Sequence, residues 1–195
     1  MRIALPLLPL LLVGESVMAQ EAQMKVLFQF QAPDEVRWTI VNDGVMGGLS
    51  SSDMELTEEG TALFSGSVSL ENNGGFASVR CVFPTQDLSA YEGVVIKVRG
   101  DGRRYQLRFR TDGSFDGVAY RAEFDTRAGE WQEVTLPFDA FEPSFRGYVP
   151  RRAGPLDTSR IRQAGFLIGD KKNGPFRLEI AWVKAYSLKN LLNGF

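Results

Sequence analysis

The sequence predicts an all-β chain folded as an antiparallel β-sandwich, with a jelly roll the favoured version. Three observations predict it. About ten short runs alternate apolar and polar side chains with the period of two that a half-buried strand requires. Gly, Pro, Asn and Asp punctuate those runs at short intervals. No stretch holds the 3.6-residue apolar period of a long amphipathic helix.

Residues 1–19 read as a secretory signal peptide. Arg2 gives a positive start, residues 3–13 are apolar apart from prolines, and Val17-Met18-Ala19 supplies the small-residue pattern before a cut. The apolar core falls short of the roughly 20 residues of a bilayer span, so no transmembrane segment is expected in the mature chain. No cysteine follows the cut to take a lipid, and an exported, periplasmic protein is the expectation. Residues 20–187 are expected to form one β-sandwich domain, and 188–195 a loosely held tail.

A strand over 26–30 is broken by Pro33-Asp34, and Trp38 opens a second run that enters a polar turn at Asn42, Asp43 and Gly44. Glycines flanking Val45 and Met46 predict a tight loop presenting two apolar side chains, released by Gly47 and Gly48 into a strand over 49–56. Glu59-Gly60 turns into a strand in which Ala62, Phe64, Gly66, Val68 and Leu70 share a face. A turn at 72–75 leads to a strand over 76–83 that Pro84 should end, followed by a helical turn at 88–91. Residues 93–99 place Val94, Ile96 and Val98 on one face. Asp101-Gly102 predicts a hairpin into 103–110, where Tyr105, Leu107 and Phe109 point inward while Arg104, Gln106, Arg108 and Arg110 point outward. Strands follow over 118–124 and 131–136, helical turns over 138–141 and 156–161, and strands over 164–168 and 175–186. Trp182 alternates with Ile180 and Leu178 and is expected in the core.

The charge balance excludes function classes. With 22 Lys and Arg against 24 Asp and Glu the net charge is −2, and removing Arg2 and Glu15 with the leader leaves it unchanged. General nucleic-acid binding needs a basic stripe and is not expected. There is no histidine, which removes the Ser-His-Asp triad and the zinc helix built on His-Glu-x-x-His. A carboxylate-pair hydrolase is the weakest class, because no acidic pair stands out. Cys81 has no partner for a disulfide and alternates with Ala77 and Val79, the pattern of a small buried hydrophobe. Asp112, Asp116 and Asp170 lie in turns but lack the dense spacing of a calcium loop, so no metal or cofactor is expected.

Five blocks in order carry a resemblance. Asn42-Asp-Gly-Val-Met-Gly-Gly-Leu-Ser50 resembles the opening signature of the complex I intermediate-associated protein 30 family. Gly74-Gly-Phe-Ala-Ser-Val-Arg80 is similar to its second block, and Val98-Arg-Gly-Asp-Gly-Arg-Arg-Tyr-Gln-Leu-Arg108 to its third. Gly129-Glu-Trp-Gln-Glu-Val-Thr-Leu-Pro-Phe138, with Phe145-Arg-Gly147 after it, matches the central region. Gly165-Phe-Leu-Ile-Gly-Asp-Lys-Lys-Asn-Gly-Pro-Phe-Arg-Leu-Glu-Ile180 is the last. The resemblance implies a galactose-binding-like jelly roll and a chaperone-like, non-catalytic role in assembly of respiratory complex I. The secretory-type leader departs from the family's mitochondrial setting.

The candidate site is an outward patch of one sheet. Arg80, Arg108, Arg110 and Tyr120 form the expected binding face, rimmed by the 42–48 loop with Asn42, Asp43 and Met46 as contacts. Guanidinium groups offer planar forks of donors suited to carboxylates, phosphates or sugar hydroxyls. A protein partner is the favoured occupant, with subunits of a membrane complex among the candidates. The alternative is a carbohydrate-binding jelly roll, for which Trp38, Trp131 and Trp182 would be the aromatic platforms.

Overall fold

The alternating runs fold into twelve strands, seen in a computed structural model that describes residues 23–30 and 37–187. The expected signal peptide, the break at Pro33-Asp34 and the 188–195 tail lie outside the described residues. In chain order the strands are β1 (Gln23–Gln29), β2 (Trp38–Ile40), β3 (Ser51–Leu56), β4 (Ala62–Val68), β5 (Ala77–Gln86) and β6 (Gly93–Arg99). They continue as β7 (Arg104–Arg110), β8 (Ala119–Asp125), β9 (Trp131–Pro137), β10 (Glu142–Ser144), β11 (Ile161–Ile168) and β12 (Gly174–Ser187). One sheet runs β3-β4-β12-β6-β9, with β1 also paired to β12; the other runs β10-β8-β7-β11-β5-β2. Every strand pair is antiparallel. This is the antiparallel β-sandwich that the period-two alternation predicts.

The core lies between the two sheets. Phe64, Ile96, Val98, Leu178 and Ile180 from the first sheet meet Val79, Tyr105, Leu107, Phe109 and Phe166 from the second. Each fully buried aliphatic or aromatic side chain contributes roughly 1.5–3 kcal/mol over its exposed state, so the inward positions of each strand carry the fold.

Three expectations are corrected by non-local pairing. Asp101-Gly102 does not close a hairpin, because β6 and β7 belong to different sheets. The dipeptide caps a crossing between layers: the Asp101 carboxylate accepts from Arg103 N–H at 3.0 Å, Tyr105 Oη at 3.0 Å and Arg177 N–H at 2.8 Å. Pro84 does not end its strand either. β5 continues to Gln86 through a register shift opposite Ile161 and Gln163, where a residue without an N–H is tolerated. Trp182 leaves the core because a second irregularity, between Ile180 and Trp182, changes the parity of β12. Val183 and Ala185 turn inward instead, and the Trp182 ring lies outside under Lys184 Nζ at 4.2 Å. The helical turns at 138–141 and 156–161 shrink to single 3₁₀ turns at Phe138–Ala140 and Thr158–Arg160.

Candidate functional site

The loop after β2 is built around one carboxylate. Asn42-Asp-Gly leads into a 3₁₀ turn, Asp43–Met46, closed by Gly47 at φ +87°. Asp43 is fully buried. Its Oδ1 accepts from Ser50 N–H at 2.9 Å, and its Oδ2 accepts from Ser50 Oγ at 2.5 Å, Gly75 N–H at 2.7 Å and Phe76 N–H at 3.2 Å. Asn42 Oδ1 accepts from Ser52 Oγ at 2.8 Å and Ser78 N–H at 3.1 Å. The first two sequence blocks are therefore tied together by the oxygens of Asn42 and Asp43.

The glycines follow from this geometry. A Cβ on Gly48 would stand 2.4 Å from Asp43 Cγ, and one on Gly74 would stand 2.6 Å from Asp43 Oδ2. Burial alone would raise the Asp43 pKa, but the bonds from Ser50, Gly75 and Phe76 outweigh it and hold the carboxyl below its ordinary value. Asp43 thus faces the chain's own donors, which corrects its expected place at a ligand, while Asn42 is half-buried beside it with, of its side chain, only Oδ1 engaged among the described residues. The loop tip is different. Val45 is 70% exposed and Met46 59%, the apolar pair the flanking glycines predict.

Arg80, Arg108 and Arg110 share the outer face of the second sheet. Cross-strand register lines up Glu142, Arg121, Arg108, Gly165, Arg80 and Thr39 in one row, with Arg110 opposite Gln163 in the next. Arg108 Nε donates to Gln106 Oε1 at 3.0 Å, and Gln106 Nε2 donates to Glu123 Oε1 at 3.0 Å. Arg80 lies over the Phe115 ring at 3.7 Å and donates from Nη1 to the Phe115 carbonyl at 2.7 Å, while its buried Nη2 has no acceptor. Arg110 donates to the Gly117 carbonyl, and Gln163 Nε2 to the Asp112 and Ser114 carbonyls at 2.8 and 2.9 Å. These bonds lay the 111–117 loop against the sheet.

Among the described residues none of Arg80, Arg108 and Arg110 has a carboxylate within ion-pair distance. Burial and then the neighbouring charges of Arg110 and Arg121 push the Arg108 pKa down to about 10. Burial followed by Arg110 lowers that of Arg80, and burial lowers that of Arg110. All three stay cationic at neutral pH. A polar cleft of about 350 Å³ continues the face, lined by Arg104, Gln106, Glu123, Asp125 and Lys172 among others.

Tyr120 is not on this face. It pairs with Phe109 and points with it into the core, so the candidate face loses it. The β8 residue beside Arg108 is Arg121, which parity from inward Ala122 and Phe124 would have found. Phe115 and Gln163 were also missed: a contact across 35 residues brings Phe115 to Arg80, strand pairing sets Gln163 opposite Arg110, and no local pattern signals either. Trp38 packs on Phe28, Phe30 and Phe166. Trp131, 37% exposed, sits on the opposite sheet under Arg99 at 4.9 Å. Cys81 is buried as expected, its thiol pushed up to about 12 by burial. Among the described residues no group of three metal-ligating side chains assembles, and no helix is long and apolar enough to cross a membrane.

Comparison with known proteins agrees with these blocks. The model of the family described as complex I intermediate-associated protein 30 matches residues 28–180. A mitochondrial protein of that name from Drosophila melanogaster is 35% identical over 181 residues, 81% of this chain and 61% of its own length. Its mouse counterpart is 30% identical over 186 residues, 85% of this chain and 57% of its own. The chain thus spans about six-tenths of the length of these curated relatives. Among solved structures, a family 11 carbohydrate-binding module from Clostridium thermocellum, in complex with a β-1,3-1,4-mixed-linked tetrasaccharide, has a TM-score of 0.63 at 17% identity. It covers 86% of this chain and 98% of that one. An agarase has a TM-score of 0.56 at 14% identity, covering 84% of this chain and 24% of that one. They show the fold, a galactose-binding-like jelly roll.

The relatives overturn the expectation of an exported, periplasmic protein, since the fly, mouse and nematode proteins are all mitochondrial. Hydropathy and one arginine describe residues 2–13 without identifying the receptor that reads a targeting segment, and those residues lie outside the described ones. On the family match over 28–180 and the fly and mouse identities, the chain belongs to the complex I intermediate-associated protein 30 family.

Proposed function

We propose that this chain is a non-catalytic binding module that engages a protein partner through the Arg80, Arg108 and Arg110 face, in the assembly of a respiratory membrane complex of the kind its relatives are named for. The observation that carries the reading is three adjacent guanidiniums with no carboxylate of the chain at ion-pair distance among the described residues. Arginine is the cation suited to protein interfaces, because its planar fork forms oriented, charge-assisted bonds. The exposed Val45 and Met46 supply an apolar element at the end of the sandwich. Sugar recognition calls for an uncovered aromatic platform. Trp131 and Trp182 lie on the other sheet, each beneath a cation, which favours the protein partner over the carbohydrate.

The test compares the tagged chain with Arg80→Gln/Arg108→Gln/Arg110→Gln in capture from detergent-solubilised respiratory membranes of the source organism. Complex I subunits should be recovered with the first and lost with the second. A melt of the triple variant separates loss of binding from loss of fold: a melting temperature within a few degrees of the wild type assigns lost capture to the face itself. Equal capture by both rejects the arginine face. Retention by a β-glucan gel, lost on Trp131→Ala, would transfer the function to carbohydrate binding.

A further inference from the structure

We propose that the gap between Arg108 and Arg80 is a carboxylate site, filled by an Asp or Glu side chain from an acidic segment of the partner, with Arg108 as its bidentate donor. The inference rests on the protein-partner reading above and names the chemistry of its central contact.

The gap is made by Gly165. Arg108 and Arg80 stand on β7 and β5, each directly paired with Gly165 on the β11 strand between them. Strands lie about 4.8 Å apart, so the two arginine backbones are roughly 10 Å apart with no side chain between them. A Cβ on Gly165 would come within 2.5 Å of the Val79 carbonyl oxygen, so the floor of the gap has to stay bare. A glycine in mid-strand weakens a sheet, and its usual compensation is close approach by another group.

The Arg108 wall of the gap has donors to spare. Arg108 spends Nε on Gln106, which Glu123 orients in turn, and its two Nη groups make no bond among the described residues. That leaves the end-on fork of a positioned guanidinium, the geometry that takes both oxygens of a carboxylate. Arg80 spends Nη1 on the Phe115 carbonyl and holds a buried Nη2 with no acceptor. A buried donor without a partner is costly. Arg110 and Arg121 add positive field.

The surroundings favour a singly charged group. Glu142 pairs in register with Arg121 at one end of the row, Glu123 stands behind Gln106, and Asp116 lies in the loop above Arg80. Such carboxylates tolerate a monoanion better than a dianionic phosphate. Phe115, 64% exposed and stacked on Arg80, offers an apolar wall to the stem of an acidic side chain.

The probes are hexaglutamate, hexaglutamine, glutarate and inorganic phosphate, titrated into the intact chain and followed by calorimetry and by the Arg Nε–H signals in NMR. Hexaglutamate should bind and shift the Arg108 signal, and hexaglutamine should do neither. Arg108→Gln should weaken hexaglutamate about tenfold, the scale of one charge-assisted contact. Arg108→Lys, which keeps the charge and loses the fork, should recover only part of that, and Arg104→Gln, on the same strand but paired with Asp125, should change affinity less than twofold. Unaltered hexaglutamate binding in Arg108→Gln overturns the site, as does phosphate binding more tightly than glutarate. Should Arg108→Gln not fold, wild-type affinity in Arg108→Lys overturns the bidentate role. Capture of complex I subunits without any hexaglutamate binding defeats this inference and leaves the binding module standing. Hexaglutamate binding through Arg108 without such capture upholds the carboxylate site and defeats the assembly reading.

Discussion

Replacing Asp43 by Asn tests whether the family's opening block is an architectural latch. The two residues are nearly isosteric, so the change is in hydrogen bonding alone. Oδ2 receives three donors, from Ser50 Oγ, Gly75 and Phe76, and Oδ1 receives the Ser50 N–H. An amide can put its oxygen toward one set only, and its NH₂ then faces a buried N–H across about 3 Å, the usual bonding distance. Bonds to a charged acceptor contribute about 1.5–3 kcal/mol each and a stranded buried donor costs about 1–3 kcal/mol, but neighbouring losses are not additive. A destabilisation of about 3 kcal/mol is expected, which for a chain of this size lowers the melting temperature by about 6–12 °C. The pH dependence has a definite sign. The folded-state pKa of Asp43 lies below its unfolded value, so its contribution is complete above the ordinary aspartate range and is lost as pH falls through the folded value. Thermal melts of wild type and Asp43→Asn should therefore differ most at neutral pH and converge in acid. A difference under 1 kcal/mol at pH 7, or one that widens in acid, would refute the latch.

Two further outcomes follow from burial and from cross-strand charge. Arg108→Gln should raise the melting temperature by up to about 2–4 °C, because it removes a like-charge pair with Arg121 directly across the strands, a contact that is destabilising by up to about 1 kcal/mol. That advantage should shrink above pH 10, where the depressed Arg108 titrates and wild type sheds the repulsion; a variant less stable than wild type by 1 kcal/mol contradicts this. Cys81, buried with its thiol raised to about 12, should resist alkylation by iodoacetamide at pH 8 in the folded chain and react fully in urea. Labelling at equal rates in both states would place it at the surface.

Legibility in the sequence tracks the range of the interaction. The inward set Tyr105, Leu107 and Phe109 is readable because alternation is local, and the sandwich follows from many such runs. A single irregularity defeats the same logic: the break in β12 between Ile180 and Trp182 moves the indole from core to surface, and nothing nearby announces it. The Asp101-Gly102 turn reads as a hairpin because hairpin chemistry is local, whereas the choice of sheet is decided by strands elsewhere. Asn42 and Asp43 stand out as motif residues, yet their partners Ser78 and Gly75 lie 36 and 32 positions on, so spacing could not separate a latch from a ligand site. The inward place of Tyr120 is legible locally, since Phe124 and Ala122 set the parity of its strand.

The unpaired arginines are a matter of placement, because the chain has acids to spare. It carries 24 carboxylates against 22 basic side chains. Elsewhere the pairing is close: Arg99 reaches Glu179 at 2.7 Å, Arg103 reaches Asp170 at 2.6 Å and Arg160 reaches Asp157 at 2.7 Å. The contrast exists even within one strand. Arg104 of β7 stands opposite Asp125 and pairs with it at 2.8 Å, whereas Arg108, four residues on, stands opposite Arg121. A sheet face under no demand except stability would place an acid at that second position, as it does at the first. Departures from a local rule that cost stability are where function is to be sought. A bare glycine beside Arg108 and an orphaned Nη2 beyond it put three such departures in a single row of the sheet. The Val79 carbonyl accounts for the glycine, but nothing within the sheet accounts for the like-charged pair of Arg108 and Arg121, and an anionic group delivered by a partner does.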